Sequence, residues 1–113
     1  MKEWADVEAF ALTLPATERG TTYGQPAVKV DGKAFTSTGS EPASFHVRSP
    51  HEEKAMLLET DPDTFWQTAH YAPWPGLLVR YGSDDPDRVR LVLTRAWWDR
   101  ARVRTRKLYG ERP

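Results

Sequence analysis

Apolar positions near the start of the chain recur at helical spacing. Four of them fall at i, i+3, i+4 and i+7 and share one face: Val7, Phe10, Ala11 and Leu14. This pattern predicts a helix over residues 4–14. Pro15 ends it, because proline disfavours helical geometry in the residue before it. The polar residues 15–24 predict a loop.

The next segment has the period of two that is typical of strands. Asp31-Gly32 separates two short alternating runs, at residues 28–30 and 34–36. Asp-Gly favours a two-residue type I′ turn, since that turn needs positive φ at both central positions. We therefore predict a β-hairpin, followed by a third alternating strand over residues 43–48.

A second helix is predicted to begin at Ser49-Pro50-His51-Glu52. The serine is placed to cap, the proline suits the first turn, and the glutamate takes the capping-box position. Two residues of this helix are expected to face the core: Ala55 and Leu58. Asp61-Pro62 ends it. Strands over residues 65–67 and 77–81 then follow, and we expect them to form the central pair of the sheet.

A long final helix is predicted after Asp85-Pro86-Asp87, which supplies an N-cap, a first-turn proline and a favourable negative charge. Its core stripe has five members: Val89, Val92, Leu93, Ala96 and Trp97. Arg100 continues that stripe, so burial should fade near Trp97 and the helix should then project or fray. Leu91 and Trp98 lie on the opposite face among arginines, which suggests a homodimer interface.

These elements predict one α+β domain over residues 1–113. The expected architecture has two layers. An antiparallel sheet of about five strands forms one layer, and the N-terminal, inserted and C-terminal helices pack on it. Residues 99–113 form a basic C-terminal segment.

Composition narrows the class of protein. The chain has no cysteine, which excludes disulfides and thiolate metal sites. It shows no signal peptide and no run approaching the roughly 18 apolar residues of a membrane span. We therefore expect a cytoplasmic protein with no membrane partner.

The net charge of zero conceals two oppositely charged parts. Residues 1–87 contain 7 Lys/Arg and 14 Asp/Glu, whereas residues 88–113 contain 9 Lys/Arg and 2 Asp/Glu. A basic segment of this kind suggests contact with nucleic acid or another anion. Alternatively, the basic helix packs against the acidic surface of its own chain.

Several short motifs, taken in order and spacing over about residues 10–98, resemble the MmcQ/YjbR family of small bacterial proteins. They are Leu14-Pro15, Tyr23-Gly24-Gln25-Pro26-Ala27-Val28-Lys29-Val30, Gly32-Lys33, Phe35, Asp61-Pro62, Phe65, Thr68-Ala69-His70-Tyr71, Leu78-Val79 and Ala96-Trp97. The resemblance implies a CyaY-like (frataxin-like) fold. It also implies DNA binding, because the family is labelled DNA-binding by likeness to a "double wing" arrangement.

The chain departs from that family pattern in two places. A proline-bracketed tryptophan occupies the turn Ala72-Pro73-Trp74-Pro75-Gly76, where the family usually has a Gly-aromatic-Pro-like turn. The run from Arg100 to Lys107 is also unusually rich in arginine. Both departures bear on whether a contact surface is shared across the family.

The chain contains none of the sequence motifs that would indicate a particular reaction. We therefore expect no enzymatic activity and no cofactor. The chain has no G-x-G-x-x-G, no P-loop and no G-x-S-x-G. His46, His51 and His70 lack the spacing that places metal ligands on one helix face, so we expect no metal site. His70 beside Tyr71 suits either a ligand contact or a hydrogen bond that ties the turn to the sheet.

Our preferred hypothesis is weak, salt-sensitive binding of DNA through the arginine-rich C-terminal helix. Arginines neutralise phosphates, and interleaved aromatic rings stack on bases. The candidate residues are Arg95, Trp98, Arg100, Arg102, Arg104, Arg106 and Lys107. The alternative is a small-molecule or protein-partner module with a pocket at Tyr23, His70, Tyr71 and Trp74.

Overall fold

Four helices and six strands make up the fold in a computed structural model that describes residues 1–113. In chain order they are α1 (Trp4–Ala11), β1 (Thr17–Thr22), β2 (Gln25–Val30), β3 (Lys33–Thr38), β4 (Ser44–Arg48), α2 (His51–Thr60), β5 (Phe65–Trp66), β6 (Gly76–Arg80), α3 (Pro86–Arg100) and α4 (Val103–Tyr109). The expected α+β class is confirmed, with six strands in place of about five.

All six strands form one antiparallel sheet in the order β1-β2-β3-β4-β6-β5. The predicted pairing of β5 with β6 is confirmed, since Phe65 lies opposite Val79 and Trp66 opposite Leu78. Their expected central position is wrong for β5, which is a two-residue strand at the edge. β6 lies inside the sheet because β4 pairs along its other side.

Two tight turns shape the first half of the sheet. The Asp31-Gly32 turn is confirmed, with φ of 50° and 81°. The predicted loop over residues 15–24 is wrong, because it contains β1 and a second tight turn at Tyr23-Gly24. We missed this hairpin because β1 is a polar edge strand without apolar alternation, and Tyr-Gly is not a usual turn pair.

The core lies between one face of the sheet and helices α1, α2 and α3. All five residues of the predicted α3 stripe are buried there, together with Val7 and Ala11 of α1. Trp97 is fully buried, and its Nε1 donates to the carbonyl oxygen of Pro15 at 2.8 Å. This bond joins the last long helix to the segment between α1 and β1.

Helix α2 differs from its prediction at both its start and its core face. Pro50 is the N-cap, and no side-chain capping bond forms, so the predicted Ser49 capping box is wrong. Ala55 is exposed, whereas Leu57 and Lys54 are buried and Leu58 is half-buried. The helix is therefore rotated from the expected orientation, and it directs a lysine inward.

The predicted long C-terminal helix is two helices. α3 ends at Arg100, where Ala101 turns extended with ψ of 148°, and α4 begins at Val103. Oδ2 of Asp31 accepts a hydrogen bond from the backbone N–H of Arg102 at 2.8 Å, in the gap between the helices. The chain therefore folds back at the β2–β3 turn and does not project. None of the helices combines the length and apolar character that crossing a membrane requires.

Candidate ligand-binding cleft

The sheet face that points away from the core forms the floor of a cleft of about 680 Å³. Phe45 and Val47 of β4 point into the core, so the alternating residues His46 and Arg48 point into the cleft. Ser37 lies opposite His46 in the register of β3 and β4 and continues this floor. β4 therefore supplies both an imidazole and a guanidinium to one concave surface.

The cleft is cationic and contains no carboxylate among the residues that line it. Arg48 extends from β4, and Arg100 reaches in from the end of α3 with its Nε donating to the carbonyl oxygen of Ala34 at 3.2 Å. Neither arginine forms an ion pair. Burial and the nearby charge of Arg48 lower the pKa of Arg100. Two neighbouring guanidinium groups thus lie in the cleft without a counter-ion from the protein.

His46 lies at the base of the cleft in close contact with β6. A Cβ atom added at Gly76 would lie 2.5 Å from its Nε2, so only glycine leaves room for the ring. The ring also packs against Tyr71, with centroids 5.3 Å apart. Burial, followed by the charges of Arg48 and Lys54, lowers the pKa of His46 to about 4. His46 is therefore a neutral imidazole at pH 7.

One wall of the cleft is residues 67–75, which we call the aromatic loop. Lys54 anchors this loop, since its Nζ donates to the backbone oxygens of Tyr71 at 2.9 Å, Ala72 at 3.2 Å and Trp74 at 2.7 Å. Lys54 is only 3% exposed. A buried ammonium group bound to three carbonyl oxygens fixes the backbone of the loop, and this backbone positions the rings of Tyr71 and Trp74.

The four residues of the predicted pocket all line the cleft. His70, Tyr71 and Trp74 belong to the aromatic loop, and Tyr23 lies across the cleft at the β1–β2 turn. Tyr23 is 97% exposed and Trp74 is 54% exposed. His70 makes edge-to-face contact with Tyr71, and it forms no side-chain hydrogen bond. Lys54, and not His70, ties the turn to the rest of the fold.

The seven residues proposed for nucleic-acid contact are distributed over three environments. Arg95 donates to the backbone oxygen of Pro113, and Arg100 lies in the cleft. Arg106 donates to the carbonyl oxygen of Trp98 and lies over its half-buried ring. Three residues remain exposed without an ion pair or a side-chain hydrogen bond: Arg102, Arg104 and Lys107.

The predicted dimer surface is divided in the same way. Leu91 is partly exposed, whereas Trp98 packs against the core and the ring of Tyr109. The dimer stays a prediction, with less of Trp98 available to a partner than the helix pattern suggested. No cluster of three or more histidine and acidic side chains is placed to hold a metal ion.

Sequence reasoning missed four residues that shape the cleft: His46 as a floor residue, Arg48, Lys54 and Gly76. Alternation along β4 contains a usable signal, because its polar positions fall on one face. Lys54 is three residues before Leu57 and therefore on the same helix face, which marks it as an inward-facing lysine. Nothing in the sequence pattern indicates that His46 and Gly76 are in contact.

A family model named YjbR matches residues 12–98. The chain belongs to the YjbR family. The match covers the sheet and most of α3 and ends before α4, which agrees with the extent expected from the motifs. Of the cleft residues, only Arg100 lies outside the matched range.

This YjbR-family chain is similar to three curated mycobacterial proteins, each 27% identical over a 112-residue alignment that covers 86% of this chain and 87% of the relative. They are the uncharacterised protein Mb2600 of Mycobacterium bovis and the uncharacterised proteins MT2646 and Rv2570 of Mycobacterium tuberculosis. No solved structure matches the chain, and the frataxin-like arrangement implied by the resemblance stays a prediction.

Proposed function

We propose that this YjbR-family protein is a non-enzymatic binding protein that holds a small organic anion in the cleft. The supporting observation is the pair Arg48 and Arg100, two guanidinium groups without an ion pair in a concavity that no aspartate or glutamate lines. Buried or clustered charges are normally paired, so an anionic ligand would supply the missing counter-charge.

The lining supports binding more than catalysis. Neither His46 nor His70 forms a side-chain hydrogen bond to a hydroxyl or carboxylate, the arrangement that a general base and its nucleophile need. The volume of about 680 Å³ lies within the usual range of small-ligand sites, about 300–1,000 Å³.

Isothermal titration calorimetry with a panel of phosphorylated and carboxylated metabolites tests this proposal. We expect at least one to bind with a Kd below about 1 mM, and the double variant Arg48→Gln/Arg100→Gln to weaken that binding about tenfold or more. The double variant Arg102→Gln/Arg104→Gln removes the same charge outside the cleft and should retain binding. If no panel member binds, or if both double variants weaken binding equally, the proposal is wrong.

A second candidate function is nucleic-acid binding through the exposed Arg102, Arg104 and Lys107. The observation that favours it is that all three side chains are exposed and form no ion pair within the protein. Fluorescence anisotropy with labelled single- and double-stranded oligonucleotides at two salt concentrations tests it with the same two variants. Phosphate contact predicts salt-sensitive binding that Arg102→Gln/Arg104→Gln weakens and Arg48→Gln/Arg100→Gln preserves. An absence of binding at low salt would exclude this candidate.

A further inference from the structure

We infer that the anion bound in the cleft carries an aromatic ring, with its charged group beside Arg48 and Arg100 and its ring against the aromatic loop. This inference rests on the proposed function. It narrows the ligand to a planar ring joined to a phosphate or a carboxylate.

The cleft has two chemically different ends. Ala34 and Thr38 both line it and lie four residues apart on β3. A β-bulge makes these four residues span the length of three, a distance of about 10 Å at about 3.3 Å per residue. Arg100 binds the carbonyl oxygen of Ala34 at one end. At the other, Thr38 Oγ1 donates to Gln25 Oε1 at 3.4 Å, next to the Tyr23 turn. A ligand bound along this length therefore meets its cationic partners at one end only.

Aromatic rings line the side of the cleft along this length. The ring of Tyr71 contacts two imidazoles, with centroids 5.3 Å from His46 and 5.2 Å from His70. Trp74 is half exposed and contacts no other aromatic ring of the protein. Exposed indole faces of this kind stack readily on planar rings. The fixed backbone at Lys54 means that this surface is formed before the ligand binds.

Tyr23 completes the aromatic lining from the opposite rim. Its φ of 49° is a conformation that a bulky side chain rarely adopts, and its ring is almost fully exposed. Such strain tends to persist at functional positions, where the side chain is needed in spite of its cost. An aromatic ligand in the cleft gives the exposed Tyr23 ring a contact that the protein alone does not.

Polar side chains at the end remote from the arginines suit heteroatoms of a ring. The cleft residues in this region are Thr22, Gln25, Thr38 and Ser40. Hydroxyl and amide groups both donate and accept hydrogen bonds, so they accommodate either polarity on the ring edge. The three zones together match an aromatic anion better than a simple inorganic one.

Calorimetric titration with matched fragments tests the inference. Adenosine 5′-monophosphate is compared with adenosine and inorganic phosphate, and indole-3-acetate with indole and acetate. We expect at least one of the two joined compounds to bind about tenfold or more tightly than either of its own fragments. The comparison of inorganic phosphate with acetate shows which of the two anions the arginines prefer.

Ring-removing variants locate the contact. Tyr71→Leu and Trp74→Leu should each weaken binding of the joined compound toward the affinity of its anion fragment, while Tyr109→Leu, a tyrosine outside the cleft, should retain it. Trp74→Leu keeps the test valid if Tyr71→Leu fails to fold, since the Trp74 ring is half exposed. If an anion binds through Arg48 and Arg100 but the ring adds nothing, the inference is wrong and the proposed function stands. If no probe or panel metabolite binds, both are wrong.

Discussion

Lys54 Nζ donates a hydrogen bond of 2.7 Å to the backbone oxygen of Trp74, across 20 residues of the chain. Together with the bonds to Tyr71 and Ala72, it makes one lysine the anchor of the aromatic loop. Methionine at this position fills a similar volume but leaves three carbonyls unpaired. We expect Lys54→Met to lower the free energy of unfolding by about 2 kcal/mol, measured by urea denaturation.

The same substitution should loosen the loop locally. Hydrogen exchange followed by mass spectrometry is expected to show that residues 67–75 exchange faster in Lys54→Met than in the wild type. Exchange in β2 and β3 should be the same in both proteins. Lys33→Met, which alters an exposed lysine of β3, serves as the control and should leave both stability and exchange unchanged. Normal protection of the loop in Lys54→Met would show that the carbonyl contacts do not hold it.

Gly76 is required by the space that His46 occupies. A Cβ atom there would meet the imidazole Nε2 at 2.5 Å and the carbonyl oxygen of Val47 at 3.1 Å, and the backbone contact cannot move freely. Gly76→Ala should therefore lower the free energy of unfolding by about 1–3 kcal/mol, the usual cost of overpacking. Gly82→Ala gives no steric contact but has positive φ, so its milder loss measures backbone strain alone. A smaller loss in Gly76→Ala than in Gly82→Ala would contradict the packing argument.

The depressed pKa of His46 makes stability depend on pH. The unfolded chain binds a proton near pH 6.5, whereas the folded protein binds it only near pH 4. Because the unfolded state holds more protons between these values, the free energy of unfolding should fall as the pH drops through this window, by up to about 3 kcal/mol. The stability difference between wild type and His46→Gln, measured at pH 4, 5, 6 and 7, isolates this contribution from the carboxylates.

His51→Gln, which alters an exposed imidazole on α2, is the control for that series. It should keep the pH dependence of the wild type. Parallel stability curves for wild type and His46→Gln would show that His46 is protonated equally in both states.

Replacing Tyr23 with asparagine is expected to increase stability and to weaken ligand binding. Asparagine tolerates positive φ better than tyrosine, so Tyr23→Asn should raise the free energy of unfolding by about 1 kcal/mol. It should also weaken binding of the aromatic anion, because the ring at the cleft rim is gone. Ala43→Asn relieves a similar φ of 52° outside the cleft and should stabilise the protein without changing affinity. Unchanged affinity in Tyr23→Asn would remove this residue from the site.

Elements were predicted correctly from the sequence where a single physical requirement determines which residue types occur. The α3 stripe and the Asp31-Gly32 turn were correct, because burial and positive φ each impose a single residue preference. β1 was missed, since a polar edge strand depends on its partner and not on its own pattern. Three of the four predicted pocket residues lie within residues 70–74, so the sequence alone places them close together. The contact between His46 and Gly76 arises only through the register of β4 and β6, which no local pattern encodes.

The end of α3 was mispredicted for a related reason. Helical periodicity continues through Arg100, and the break at Ala101 coincides with a carboxylate from residue 31, about 70 positions earlier in the chain. A side chain that distant is invisible to a local pattern. Asp31 thus acts both in a turn and at the start of another element.

Asp31 allows these two roles to be separated experimentally. Asp31→Gly keeps a residue that adopts positive φ readily but removes the carboxylate that accepts from the Arg102 N–H. We expect the free energy of unfolding of this variant to fall by about 1 kcal/mol, the usual effect of removing a helix-capping side chain. Hydrogen exchange across residues 103–109 should also be faster than in the wild type. Asp31→Asn retains an acceptor oxygen and should show a smaller change in both measurements.

The hydrogen bond from the backbone of Arg102 is the main cause that lowers the pKa of Asp31. The ionised carboxylate should therefore stabilise the folded protein fully above pH 3.8, and this stabilisation should decline as the pH falls below that value. Asp84→Gly removes an exposed aspartate that accepts no hydrogen bond, and it controls for the added chain flexibility. If Asp31→Gly and wild type protect α4 equally at neutral pH, the carboxylate does not fix the break. The position of Arg104 and Lys107 would then depend on the packing of α4 alone.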